Sequence, residues 1–250
     1  MGNARLTMGK VFIDVLSFAE AMVALERLVA SREGGYVVTP NVDHIVLAED
    51  NPEFAAVYQR AALSFADGAP VVWASRLLEA RLPERVSGAD LVAPVLERAG
   101  QLGWRVALVG AGPGVAEQAA QVARERWGTQ VVFTAAPHVR LDDAAVIDGL
   151  AGQLAEAKPD VVFLAFGAPK QELLSARIVD RVKPAVLLNI GAGLDFLTGN
   201  VKRAPVPLRK AGLEWAWRLG QEPRRLWRRY LVNDPRFLLI LGRDLRNRRR

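Results

Sequence analysis

Short runs rich in β-branched and apolar residues recur at Tyr36–Thr39, Arg105–Val109, Gln130–Thr134, Asp160–Phe166 and Ala185–Ile190, with longer amphipathic stretches between them. Between Ser17 and Ser31, the residues Phe18, Met22, Leu25 and Val29 fall on one stripe, the spacing of a helix that buries one side. Pro113–Trp127 follows glycines and is rich in Ala, Gln and Arg, which suits a second surface helix. Near-continuous apolar strands alternating with helices predict an α/β fold, a Rossmann-like, mostly parallel sheet with helices on both faces. With 250 residues, 51% of them hydrophobic, the chain is long enough to bury one such core and is not a disordered polypeptide.

Charge divides the chain unevenly. Residues 201–250 hold 15 Lys/Arg and 4 Asp/Glu, a net +11, whereas residues 1–200 hold 18 and 23, a net −5. An α/β body over 1–200 and a basic helical appendage over 201–250 are therefore expected. Trp215, Trp217 and Trp227 interleave with Arg218, Arg224, Arg225, Arg228 and Arg229, a mixture that suits an anionic membrane surface or nucleic acid. The longest apolar run there, Phe237–Leu241, is far too short to span a bilayer, and Met1–Lys10 lacks the apolar centre of a secretory signal. The protein is thus expected to lie on a membrane without crossing it. Absence of cysteine excludes disulfides and thiolate metal sites and fits a reducing cytoplasm, and His44 and His138 alone make a structural zinc a poor expectation.

In open parallel sheets ligands bind beyond the carboxyl ends of the strands, so the polar and glycine residues at each strand exit are the first candidates. Thr39-Pro40-Asn41-Val42-Asp43 leaves the first run, where Asn41 or Asp43 would equally serve as a helix cap. Phe65-Ala66-Asp67-Gly68 places a carboxylate where a general base would stand, although turns favour aspartate for their own reasons. Gly110-Ala111-Gly112-Pro113-Gly114 could bring backbone N–H groups and a helix dipole to phosphate oxygens, yet such glycines also serve close packing. Gly167-Ala168-Pro169-Lys170-Gln171-Glu172 offers an amide for a uridine or sugar and a lysine charge, while Glu172 also suits a first helical turn. Gly191–Gly199 allows close backbone approach, with Asp195 available to a ribose, a base edge or a helix cap.

Taken in order, Thr39-Pro40-Asn41, Ala66-Asp67-Gly68, Arg85-Val86-Ser87-Gly88, Gly167-x-Pro169-x-Gln171-Glu172, Gly191–Gly199, Arg203-Ala204-Pro205, Gly212-Leu213-Glu214-Trp215 and Glu222-Pro223-x-Arg225-Leu226 resemble the WecG/TagA/CpsF family of bacterial glycosyltransferases, from about Val11 to Leu241. The resemblance implies transfer of a hexose, N-acetylmannosamine or a relative, from a UDP donor to a polyprenyl-diphosphate-linked sugar in surface polysaccharide synthesis. It also implies inversion at the anomeric carbon, no obligatory metal or other cofactor, and a place on the cytoplasmic face of the plasma membrane. Carried over by position, Asp67 is the catalytic base and Arg85 its electrophilic partner, against the alternative that Arg85 only pairs with Glu84 or a neighbour. Thr39, Asn41 and Gln171 would line the site, Asp195 would meet the uridine, and Gly110 and Gly112 would approach the phosphates.

A lipid-linked acceptor gives the tail a role. Trp215 and Trp217 would sit at headgroup level, Arg218, Arg225 and Arg228 would reach phosphates, Phe237–Leu241 would enter the acyl boundary, and Arg246–Arg250 would stay disordered. On this expectation a body cut before Leu213 folds alone. Two alternatives compete: the helices cover the body or a second subunit in a homo-oligomer, or the tail binds nucleic acid by phosphate contact and stacking. A dinucleotide-dependent oxidoreductase is disfavoured, because the acidic residue expected after the strand at Gln130–Thr134 is missing.

Overall fold

A computed structural model describes residues 4–78 and 80–248, without the side chains of Lys210 and Arg225. The chain opens with a hairpin, β1 (Arg5–Met8) and β2 (Val11–Asp14), followed by α1 (Phe18–Ser31). Ser17 starts α1 through a reciprocal capping box with Glu20, so the predicted boundary has a hydrogen-bonding cause. Then come β3 (Gly35–Val38), α2 (Val42–Asp50), α3 (Pro52–Arg60), the two-residue β4 (Leu63–Ser64), α4 (Ala69–Leu77) and α5 (Gly88–Leu102). The alternation continues with β5 (Arg105–Gly110), α6 (Val115–Trp127), β6 (Gln130–Ala135), α7 (Ala144–Ala157), β7 (Val161–Ala165), α8 (Lys170–Val182), β8 (Val186–Asn189) and α9 (Gly193–Thr198). The C-terminal part is helical: α10 (Val206–Lys210), α11 (Glu214–Gln221), α12 (Pro223–Arg228), a π-helical turn at Arg229–Asn233, and α13 (Arg236–Arg248).

The main sheet runs β4-β3-β8-β7-β5-β6 with every neighbouring pair parallel. Its five longer strands match the expected runs. β4 is too short to carry a periodic signal and exists through its pairing with β3. The unforeseen β1–β2 hairpin meets β4, where the buried Asp14 accepts from Ser64 N through Oδ2 (2.8 Å) and from Arg5 Nε through Oδ1 (2.9 Å). The hairpin thereby protects an exposed sheet edge.

Two apolar layers sandwich the sheet. One combines Tyr36, Val38, Val109, Leu164 and Leu187 of the strands with α2, α3, α7 and α8, and the other combines Val37, Leu108, Phe163 and Leu188 with α1, α5, α6 and α9. Across the sequence of neighbours β3, β8, β7, β5, the helices that follow are α2, α9, α8 and α6, which leave to alternate faces. None of these four helices therefore closes over the adjacent strand exits, and a crevice opens there.

The tail departs from expectation in two respects. Phe237, Ile240 and Leu241 of α13 are buried with β1, β2 and α2, so only Leu238 and Leu239 of that run face outward, 69% and 77% exposed. The terminal arginines are not disordered through Arg248: α13 reaches it, and its guanidinium donates to the carbonyls of Leu78 and Thr7. Arg249 and Arg250 lie outside the described residues. A cut before Leu213 would bare the apolar surface that α13 covers.

Gly110 shows how tightly the strand exits fit. Its φ is +103°, and an added Cβ would stand 2.7 Å from the Ala165 carbonyl oxygen. Gly110→Ala should cost about 2 kcal/mol or more in urea unfolding, whereas Gly149→Ala, in the open middle of α7, should add roughly 0.5–1 kcal/mol.

Candidate active site

The crevice is a cleft of about 1080 Å³ lined by strand exits below and by the C-terminal helices above. Thr39 and Asn41 follow β3, Asp67 follows β4, Ala111 and Gly112 follow β5, Gly167 and Gln171 follow β7, and Gly191 and Asp195 follow β8. Arg203, Glu214, Trp215, Arg218, Arg229 and Tyr230 come from beyond residue 200. Most of the expected site residues thus converge.

Each local arrangement has a cause. Asn41 caps α2, its Oδ1 accepting from His44 N at 3.2 Å, and the same oxygen accepts from Arg229 Nη2 at 3.3 Å. Capping and cleft-lining are combined in one side chain. Asp67 is fixed through its backbone N–H, which donates to the Pro40 carbonyl at 2.9 Å. At Gly88, a Cβ would meet the Asn189 carbonyl oxygen at 2.6 Å and Thr39 Oγ1 at 3.2 Å. Only a bare residue lets the start of α5, with Arg85 and Ser87 before it, press against the exits of β3 and β8.

Gln171 is buried and fully engaged. Its Oε1 accepts from Gly167 N (3.2 Å) and Gly191 N (3.0 Å), and its Nε2 donates to Glu172 Oε1 (2.8 Å). It ties the turns after β7 and β8 together, a task the sequence motif does not reveal. Gly110 does not line the cleft, because its bare Cα accommodates β7, while Ala111 N donates to the Ala165 carbonyl at 2.7 Å. Of the tail residues, Arg218 and Trp215 line the cleft, with Trp215 5.9 Å from the Tyr230 ring. Arg228 instead lies over the Trp227 ring, away from the lining, and the side chain of Arg225 lies outside the described residues.

Arg85 does not pair with Glu84. It joins a closed ring of four charges: Arg85 Nη1 to Glu214 Oε2 (2.8 Å), Arg85 Nη2 to Asp90 Oδ2 (2.9 Å), Arg203 Nη1 to Asp90 Oδ1 (2.6 Å) and Arg203 Nε to Glu214 Oε1 (3.2 Å). Glu214 closes this ring from α11, 129 positions from Arg85, a separation no local motif reveals. A second pairing, Arg229 Nε to Asp43 Oδ2 at 3.3 Å, holds the π-helical turn over α2.

Ionisation is perturbed around the cleft. Burial pushes the Asp67 carboxyl up to about 6; Glu214 and Asp90 reinforce the rise, against the pull of Arg85 and Arg218. Burial likewise raises Glu172 to about 7, with its Oε2 unpartnered, and Asp234 to about 6 with help from Asp43. Burial raises Asp195 as well. His44 falls to about 3 through burial and the Arg229 charge, so it is a neutral imidazole, with Nδ1 2.7 Å from the Tyr58 hydroxyl. Asp67, Asp195, Asp234 and His44 all line the cleft, and such a concentration of displaced pKa values in one concavity marks a functional site. Among the described residues, no three His, Cys, Asp or Glu side chains group as a metal site.

Because Asp67 binds its proton more tightly when folded than at its usual 3.8, its contribution to stability is full at low pH and declines as pH rises from about 4 to 6. Asp67→Asn removes the buried charge. Scanning calorimetry should therefore find its Tm equal to or above that of the wild type at pH 8, with the difference shrinking toward pH 4.

A model of the family described as "Glycosyl transferase WecG/TagA/CpsF family" matches residues 6–250. The strand-exit motifs that carried the resemblance lie inside that match and converge on one cleft. This chain belongs to the WecG/TagA/CpsF family and is a glycosyltransferase of cell-surface polysaccharide synthesis.

Proposed function

We propose that the enzyme transfers a hexose of the N-acetylmannosamine class from a UDP donor to a polyprenyl-diphosphate-linked sugar, by single displacement with inversion. The observation that carries this reading is Asp67: a carboxyl at a strand exit, poised near pH 6, facing a cleft that also holds Arg85 and Arg218. The Asp67 carboxylate takes the proton of the acceptor hydroxyl as that oxygen bonds to the donor's C1. The bond from C1 to the UDP oxygen breaks with its electron pair, and guanidinium groups meet the charge that develops on the diphosphate. This supply of cation is the basis for proposing a metal-independent reaction. Thr39, Asn41 and the turn at Gly112 would contact the donor, Asp195 the uridine, and Gln171 would act by holding the two turns in register.

Membrane docking is supported by outward apolar side chains: Leu231, Val232, Leu238 and Leu239 are more than half exposed, and Trp227, with Arg228 over its ring, is also exposed; the inner face is part of the same proposal. Among the described residues no helix is long and apolar enough to cross a membrane. Nucleic-acid binding is less well supported, since Arg203, Arg229, Arg236 and Arg243 pair with Asp90, Asp43, Asp50 and Glu49.

Turnover of UDP-N-acetylmannosamine with a short-chain polyprenyl-diphosphate sugar tests the chemistry. Asp67→Asn should lose about 10²–10⁴ in kcat, and wild-type kcat/KM should climb with pH and level off above about 6. Undiminished turnover in Asp67→Asn would remove Asp67 as the base. For docking, the pair Leu238→Glu and Leu239→Glu should abolish sedimentation with anionic liposomes at unchanged Tm. Liposome binding equal to wild type would sink the anchoring role.

A further inference from the structure

The two arginines of the charge ring are held differently by their two carboxylates. Asp90 belongs to the body: its Oδ2 accepts from Ser87 Oγ at 2.7 Å, its own N–H is capped by Ser87, and it sits in the first turn of α5, wedged in place by Gly88. Burial works against its charge, yet bonds from Arg203 and Ser87 and the charges of both arginines hold it below the usual carboxylate range. Asp90 is not among the cleft-lining residues, so it grips the guanidiniums from behind.

Glu214 stands on the opposite side. It lines the cleft with Arg85 and Arg203, and it belongs to α11, a helix with no buried residue. Its two oxygens bridge the two guanidiniums, one contact at 2.8 Å and the other at 3.2 Å. Arg203 is kept in place without it, by Asp90 and by the Phe196 ring, whose centroid is 5.4 Å away. Two fixed cations thus face the cleft with a carboxylate between them, and that carboxylate rides on a lightly attached helix.

We propose that Arg85 and Arg203 together form a diphosphate cradle and that Glu214 is its built-in stand-in, displaced when the diphosphate of the donor arrives. The inference rests on the UDP-sugar reading and adds to it a second cation, Arg203, and an exchange of anions. A diphosphate carries more charge than a carboxylate and offers oxygens to both guanidiniums at once, so it competes for the same donors. When Glu214 is released, α11 loses its ion pairs to the body. Arg218 and Trp215 ride on that helix, so ligand binding is coupled to the position of the cleft's roof.

Calorimetric titration of the full chain with UDP, inorganic pyrophosphate and uridine tests this. Glu214→Gln keeps the shape and removes the charge, and it should bind UDP and pyrophosphate severalfold more tightly, with uridine unchanged. Arg203→Ala should weaken both phosphorylated ligands about ten- to a hundredfold, and Arg203→Lys should fall between. If Arg203→Ala fails to fold, Arg203→Lys and Glu214→Gln decide the matter. UDP bound equally by all variants would leave the donor reading intact and overturn the exchange, as would weaker UDP binding by Glu214→Gln. Pyrophosphate following the expected pattern while UDP does not bind would keep the cradle and overturn the nucleotide donor. Wild type binding neither ligand overturns both.

Discussion

Ion pairs between the chain beyond residue 200 and the sheet domain hold the roof of this cleft, most directly through the ring of Arg85, Asp90, Arg203 and Glu214. Exposed pairs of this kind contribute about 0–1 kcal/mol each, whereas full burial of a Phe, Ile or Leu side chain contributes about 1.5–3 kcal/mol. α13 carries both attachments: Phe237, Ile240 and Leu241 lie in the core, and Arg236 and Arg243 make bidentate pairs with Asp50 and Glu49. α11 has the ring through Glu214 and two long bonds, from Trp217 Nε1 and Gln221 Nε2 to the Lys202 carbonyl, each at 3.4 Å. The same stretch of chain is therefore clamped at its end by apolar burial and held in its middle by charge.

The contrast between a basic tail and an acidic body acquires a different meaning in three dimensions. Opposite charges separated along the chain are brought together in the fold, where Arg203, Arg229, Arg236 and Arg243 pair with Asp90, Asp43, Asp50 and Glu49. Trp227, Leu231, Val232, Leu238 and Leu239 are exposed as well, so the tail presents apolar side chains to solvent along with its remaining cations.

The sheet was legible because β3, β5, β7 and β8 are buried on both faces and read as near-continuous apolar runs, and because β6, at the sheet edge, still carries the β-rich run Val131-Val132-Phe133-Thr134. β1, β2 and β4 were not, since the first two are only four residues long and the third has only two. Asp67, Asn41 and Asp195 were visible because a strand exit constrains both chemistry and position. Arg203, Glu214 and Arg229 were missed as site partners, because an ion pair between residues more than a hundred positions apart leaves no local trace. For α13 the pattern itself was ambiguous: Phe237, Ile240 and Leu241 have the spacing of any amphipathic helix, and nothing in the spacing says whether protein or lipid covers it.

The position of α13 in the chain also bears on how the enzyme comes into being. Gly9 N donates to Asp244 Oδ2 at 2.6 Å, so the turn of the first hairpin is completed by a side chain 235 residues later. While the chain is being synthesised, the apolar surface of β1, β2 and α2 must wait, uncovered, for a helix made after every other element described here. Contacts across such a separation are entropically slow to close, and exposed apolar surface is open to misassociation or chaperones in the meantime. Completion of the core layer over the hairpin and α2 is consequently a late event, and a nascent chain lacking α13 would leave that layer open.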